Sequence, residues 1–154
     1  MGEVKDKMIT VESLKALHDY NQATYLEKIG ANKLLWSDIE HTEQMGSEAA
    51  VYFSELISEQ SHGVVFVFSR YADDEVKDYD FCSFFVPKHQ VINHNHCGMN
   101  FVMSDFTGDI MAKKYLYVHD TGITGYENND TTINGSCGIT WTNNGFVLRY
   151  VIGV

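Results

Sequence analysis

Short apolar runs separated by turn-forming residues dominate the chain from residue 34 onward. The clearest run is residues 64–68, where every side chain is β-branched or aromatic, bounded by Gly63 and by acidic residues at 73–75. Such side chains fit a pleated sheet surface and crowd a helical turn. Residues 61–71 therefore predict a central strand covered on both faces. Residues 145–154 are equally apolar and predict its partner, a buried last strand.

The same signals predict a series of further strands. They fall at residues 34–37, 49–57, 78–86, 90–92, 99–105, 110–119, 122–126 and 138–142. Residues 143–145 contain Asn-Gly, a strong hairpin signal, so we expect the strand at 138–142 to pair with the last strand. The pattern predicts a mainly β fold, an antiparallel β-sandwich of jelly-roll type over residues 31–154.

Residues 11–26 have a different periodicity, with Thr10 as a predicted N-cap and Gly30 as a terminator. Positions recurring at intervals of three and four, the a/d pattern of a coiled coil, are Val11, Leu14, His18, Asn21 and Tyr25. We predict an N-terminal helix within residues 1–30. Its stripe either covers its own domain or forms the seam of a short parallel bundle, because a lone helix of about 15 residues is marginal in water.

Composition narrows the possible partners. The formal net charge of −10 argues against a nucleic-acid partner and against docking on an anionic membrane, since both need clustered basic residues. No apolar run approaches a membrane span, so no membrane insertion is expected. Three cysteines without a signal peptide predict reduced thiols in a protein made in a cytoplasm.

Histidines and a cysteine cluster after the single proline, at His89, His94, His96 and Cys97. If residues 92–100 are extended, His94 and His96 point to the same side, as two zinc ligands on a strand do. No C-x-x-C or H-E-x-x-H spacing accompanies them, which favours a solvated loop. The acidic residues at 73–80 also miss the EF-hand pattern. We therefore expect neither a metal nor another cofactor and keep His94, His96 and Cys97 as weak candidates.

Catalytic motifs are absent from the sequence. There is no G-x-S-x-G motif and no phosphate-cradling glycine loop, and Cys137 lies in a Gly-Ser-Cys-Gly turn. We therefore predict no catalytic residues and no enzymatic activity, although carboxylates paired only in the fold stay open as an alternative. Aromatic residues that could stack on a sugar ring or pack in the core are Trp36, Tyr71, Tyr79, Tyr126 and Trp141.

Several segments resemble tail-fibre and baseplate-type structural proteins of phages and prophages of Gram-positive gut bacteria. Residues 7–26 resemble the helix ahead of their small β-domains. The C-terminal domain of these proteins is matched at Leu-Leu-Trp-Ser (34–37), His-Gly-Val-Val-Phe-Val-Phe-Ser-Arg-Tyr (62–71), Phe-Phe-Val-Pro-Lys (84–88), Lys-Tyr-Leu-Tyr (114–117) and Phe-Val-Leu-Arg-Tyr-Val-Ile-Gly-Val (146–154). The resemblance covers nearly the whole chain, but Asp38 stands where members usually have glycine.

The resemblance implies a virion tail component, a fibre tip or receptor-binding domain made in the bacterial cytoplasm. Fibres of this kind imply a parallel homotrimer with the seam residues on its axis, contacts to other tail proteins, and a host-surface saccharide or protein as ligand. Specific ligand-binding residues are not predicted. The loops expected to present the ligand site are 38–47, 72–79, 88–98 and 126–137. The alternatives are a glycan-cleaving tail enzyme and a non-binding structural or assembly component.

Overall fold

Two β-sheets contain about half of the residues that a computed structural model describes, namely Lys15 and residues 32–37 and 44–154. The predicted seam lies outside the described residues, as do positions 38–43 of the loop expected at 38–47. The seam positions concerned are Val11, Leu14, His18, Asn21 and Tyr25. Within the described ranges the fold is mainly β and almost all strand pairs are antiparallel, which confirms the mainly β, antiparallel part of the prediction.

The first sheet is built on the predicted central strand. Its members are β1 (Lys33–Ser37), β3 (Gly63–Ala72), β4 (Glu75–Val76), β5 (Cys82–Pro87) and β11 (Phe146–Gly153). The order is β1-β11-β3, with β5 and the short β4 also paired to β3. The last strand is therefore enclosed by β1 and β3, as its apolar sequence predicts.

The two faces of β3 differ in burial. Val64, Phe66 and Phe68 point into the core and are fully buried. On the opposite face Val65 and Val67 are only half-buried. The expectation of a strand covered on both faces is therefore right for one face and only partly right for the other.

The second sheet carries the remaining strands. They are β2 (Ala50–Tyr52), β6 (Cys97–Ser104), β7 (Met111–His119), β8 (Gly122–Thr124), β9 (Thr132–Asn134) and β10 (Thr140–Thr142). The long β7 pairs with β6 along one whole edge. Its other edge is divided, with β8 at its C-terminal end and β10 at its N-terminal end. The gap between these two partners positions the candidate site.

Side chains from both sheets meet in one hydrophobic core. Phe101 of β6 contacts Phe66 and Phe68 of β3, with ring centroids 5.4 and 5.7 Å apart, and Phe84 of β5 at 5.3 Å. Aromatic pairs at these separations add to the gain from burying their area. Leu116 and Val118 on β7 complete the side of the core formed by the second sheet.

One predicted strand is wrong, and another is right only in part. Residues 90–92 lie in a short helix, α1 (Lys88–Asn93), which begins directly after Pro87. Pro87 is the N-cap of this helix and still has extended backbone angles (φ −64°, ψ 136°), so the strand ends and the helix begins at this residue. Of the strand expected at 49–57 only Ala50–Tyr52 is extended, and Ile57–Glu59 forms a 3₁₀ turn.

The predicted C-terminal hairpin is also wrong. β10 pairs with β9 and β7 in the second sheet, whereas β11 belongs to the first. The Asn-Gly segment forms a 3₁₀ turn, Asn143–Gly145, that carries the chain from one sheet to the other. Asn143 is buried there and its side chain is hydrogen-bonded, a tertiary role that overrides the local hairpin preference.

Within the described ranges, no helix has the length and apolar character needed to cross a membrane.

Candidate functional site

The alternation of β7 creates two contrasting surfaces. Ala112, Leu116 and Val118 are fully buried toward the core, together with the Lys114 side chain. The Lys114 ammonium donates to backbone carbonyls of Gln44 and Asn129, so the buried charge is solvated by the protein. The odd-numbered residues face outward and are half-buried, and they form the floor of the site.

The divided edge of β7 is completed by two asparagine side chains. On the edge of β7 opposite β6, no strand pairs with Lys113 or Tyr115 in the described part of the chain, because β8 and β10 end on either side of them. The Asn129 amide accepts from the Tyr115 N–H and donates to the Tyr115 carbonyl, both at 2.8 Å. Asn143 Oδ1 accepts from the Lys113 N–H at 2.9 Å. These amides act as a short substitute strand and hold open a gap that a continuous sheet would close.

A cleft of about 310 Å³ lies over this gap. Its walls come from β6, β7, the 126–129 turn, β9 and the turn before β11. The lining residues are Asn100, Lys113, Tyr115, Tyr117, Tyr126, Asn128, Asn129, Ile133 and Asn143. This volume is at the lower end of the range for small-molecule sites, and a lining of aromatic and amide groups suits a polar ring-shaped ligand.

An aromatic row continues the cleft along the sheet. Successive ring centroids lie 5.4 Å apart from Tyr126 to Tyr115, 5.3 Å from Tyr115 to Tyr117 and 4.7 Å from Tyr117 to His96. His96 then contacts His119 at 4.5 Å. Gly98 lies beside Tyr115, and an added Cβ there would collide with the Tyr115 hydroxyl. The glycine thus provides the space in which this tyrosine lies.

The far end of the cleft carries a positive charge. The Lys113 ammonium lies 5.1 Å from the centre of the Trp141 ring, a cation–π distance. Among the described residues, no carboxylate forms an ion pair with Lys113. The cleft therefore combines phenol and amide groups with one ammonium group.

His96 and His119 form the opposite end of the aromatic row, and the pKa of His119 is lowered there. Burial lowers the pKa of His119, and the nearby charge of His96 lowers this pKa further. The imidazole of His119 is therefore held neutral at neutral pH and presents a ring face and a single N–H.

The weak metal candidates, His94, His96 and Cys97, do not lie on one extended segment. His94 is the C-cap of α1 and His96 has a left-handed φ of 64°, so the extended segment that would align the two rings does not form. Burial raises the pKa of the Cys97 thiol. In the part of the chain that the structure describes, no group of three metal-ligating side chains comes together. His96 belongs instead to the aromatic row.

The structure distributes the other predicted residues between the sheets. Tyr126 lines the cleft and Trp141 supports Lys113. Trp36 packs against the core, and Tyr71 lies in β3 of the first sheet. Of the loops expected to present a ligand, 126–137 contributes Tyr126, Asn128, Asn129 and Ile133 to the cleft, whereas 72–79 contains the β3–β4 turn of the first sheet.

Sequence reasoning missed the residues that form the floor. Tyr115 and Tyr117 lie in the segment whose alternation predicted a strand, and alternation alone gives them one shared face. Alternation alone could not show whether that face contacts solvent or the core. Asn129 and Asn143 carry no sequence signal for their role, because it depends on two strands ending at the same edge.

No protein-family model, curated protein or solved structure matches the chain.

Proposed function

We propose that this chain binds a saccharide in the cleft over β7. One observation carries the proposal: three tyrosines and four asparagines converge on a single concave surface, with Tyr115 and Tyr117 held on the strand β7. Rigid strands position binding groups more precisely than loops do.

The chemistry of the lining matches that of a sugar ring. A pyranose presents C–H groups on one face and hydroxyls around its rim. Tyrosine offers an apolar ring with a polar tip. Neighbouring rings of Tyr115, Tyr117 and Tyr126 are nearly perpendicular, so one ring can cover the apolar face of the sugar while the next contacts its rim. The side-chain amides of Asn100 and Asn128 offer donors and an acceptor to the sugar hydroxyls, whereas the buried side chains of Asn129 and Asn143 bond to backbone groups and shape the cleft. The cleft therefore supplies both kinds of contact within one ring's reach.

The wider setting of this binding domain is a phage or prophage tail. The sequence resemblance supports a fibre or receptor-binding protein located in the virion tail and attached to other tail proteins. The two sheets with their shared core support a β-sandwich of jelly-roll type. The a/d pattern from Val11 to Tyr25 supports a parallel homotrimer. In this arrangement each subunit would present one cleft to the cell surface.

Binding of the intact protein to an array of immobilised oligosaccharides tests the proposal. We expect the wild type to bind a defined subset and Tyr117→Ala to lose that binding. Tyr79→Ala is the matched control, because Tyr79 is 52% exposed and lies in the segment that precedes β5 of the first sheet. Equal binding by Tyr117→Ala and the wild type would contradict the proposal.

Two further measurements distinguish the alternative functions, the glycan-cleaving enzyme and the structural component. Release of reducing sugar from a bound oligosaccharide would identify a glycan-cleaving enzyme. Absence of binding to every oligosaccharide, together with capture of another tail protein, would identify a structural or assembly component.

A further inference from the structure

The charge of the cleft is unbalanced. Lys113 is the only charged residue among the nine that line it. Its ammonium has three donors, and no hydrogen bond from it to another described residue is formed. The Trp141 ring fixes the position of the charge at 5.1 Å but accepts no conventional hydrogen bond. The donors of Lys113 therefore remain available to a ligand.

The acidic side chains of the turn beside the cleft do not line it. Glu127 and Asp130 lie in the same turn as Asn128, but both are exposed and neither lines the cleft. The Asp130 carboxylate lies against Gly46, where an added Cβ would collide with it. The positive charge is thus local to the cleft.

We propose, resting on the proposed function, that the ligand is an acidic saccharide whose carboxylate or phosphate group binds the Lys113 ammonium. The sugar ring lies over Tyr115 and Tyr117, and its anionic substituent points toward the β10 end of the strand. Asn143 brings the neighbouring backbone into position by holding the Lys113 N–H.

The chain is acidic overall, so a lysine inside the cleft changes which ligands can bind there. A protein with a net charge of −10 repels anions at long range. At physiological ionic strength that repulsion is screened beyond about 8 Å, whereas a contact between ligand and ammonium is shorter than this. A lone unpaired lysine in a concave, aromatic-lined surface therefore acts as a local filter for anionic ligands.

The test compares acidic oligosaccharides, bearing uronic acid or phosphate, with neutral oligosaccharides of matched ring and linkage on one array. We expect the acidic members to bind more tightly, and the preference to fall at high salt. Lys113→Met keeps the apolar stem but removes the charge, and should weaken acidic binding about tenfold while sparing neutral binding. Lys113→Arg should keep the preference.

Lys33→Met is the matched control, because Lys33 lies on β1 of the first sheet and is paired with Glu55. Separate comparison of the oligosaccharides that bear uronic acid and those that bear phosphate shows which anionic group binds Lys113.

Equal binding of acidic and neutral oligosaccharides by the wild type, or unchanged acidic binding by Lys113→Met, would overturn this inference. If Tyr117→Ala still abolishes binding in either case, the proposed function stands. A wild type that binds no oligosaccharide would overturn the proposed function itself.

Discussion

Asn129 is the residue on which the shape of the cleft most depends. It is 1% exposed, and its side chain satisfies the Tyr115 N–H, the Tyr115 carbonyl and the Met45 carbonyl. Its amide combines a donor and an acceptor in the geometry of a backbone peptide, which is why it can replace a missing strand residue. No hydroxyl or carboxylate of similar size offers two donors and an acceptor at once.

We predict that Asn129→Ala lowers the free energy of unfolding by about 2–4 kcal/mol, because buried backbone groups lose their partners. Urea denaturation measures this loss. Asn128→Ala is the control, since the Asn128 carbonyl but not its side chain accepts the bonds from Thr131 and Asn143. A change within about 0.5 kcal/mol is expected there. Equal losses in the two variants would refute the substitute-strand role.

His119 makes the free energy of unfolding of the protein depend on pH. Its pKa in the folded protein lies below the unfolded value near 6.5, because burial and the charge of His96 disfavour the imidazolium form. The unfolded chain then binds more protons in mildly acidic solution. The free energy of unfolding should therefore fall as the pH drops below about 6.5 and stay constant from this source above it.

We expect His119→Gln to reduce this decline in urea denaturation series between pH 7.5 and pH 5.5. The carboxylates with lowered pKa values, Glu55, Glu75 and Asp105, titrate below that window and do not contribute to the slope. A decline in His119→Gln as steep as in the wild type would assign the pH dependence to other groups.

The adjacent strands β3 and β5 carry phenylalanines on opposite faces of the first sheet. Phe66 on β3 is fully buried between Phe53 and Phe101, whereas Phe85 on β5 is 52% exposed on the opposite face. These two phenylalanines make a matched pair on adjacent strands.

We predict that Phe66→Ala costs about 3–5 kcal/mol of unfolding free energy through lost burial and a cavity. Phe85→Ala should cost less than about 1 kcal/mol, because its ring already contacts water. Thermal and urea denaturation of both variants give the comparison. Similar costs would mean that the outward face of the first sheet is also a packed interface.

An element can be predicted from the sequence when the residues that determine it lie close together in the chain. The strands β3, β7 and β11 were predicted because their apolar patterns are local and continuous. Helix α1 and the turn at Asn143–Gly145 were not, since Pro87 and Asn-Gly have more than one compatible local structure and tertiary contacts choose between them. The cleft depends on where β8 and β10 end along β7, a relation between distant segments that no local pattern encodes.

At the scale of the whole molecule, the proposed trimer predicts a solution mass of three chains of 17.5 kDa. Light scattering at tens of micromolar protein measures it. Leu14→Asp, at a seam position, should give monomers because a charge on the axis must be desolvated three times. Ala16→Asp lies at an outer heptad position and should leave the mass unchanged. A wild-type monomer would contradict the trimer without affecting the cleft.

The central claim is that the surface over β7 is where the ligand binds. The most direct test is a backbone amide NMR titration of the isotope-labelled protein with the oligosaccharide that binds most tightly on the array. The account predicts that the largest shifts fall at Asn100, Lys113, Tyr115, Tyr117 and Tyr126. Largest shifts at the β3–β4 turn or on the outward face of β5, with those five amides unmoved, would contradict it.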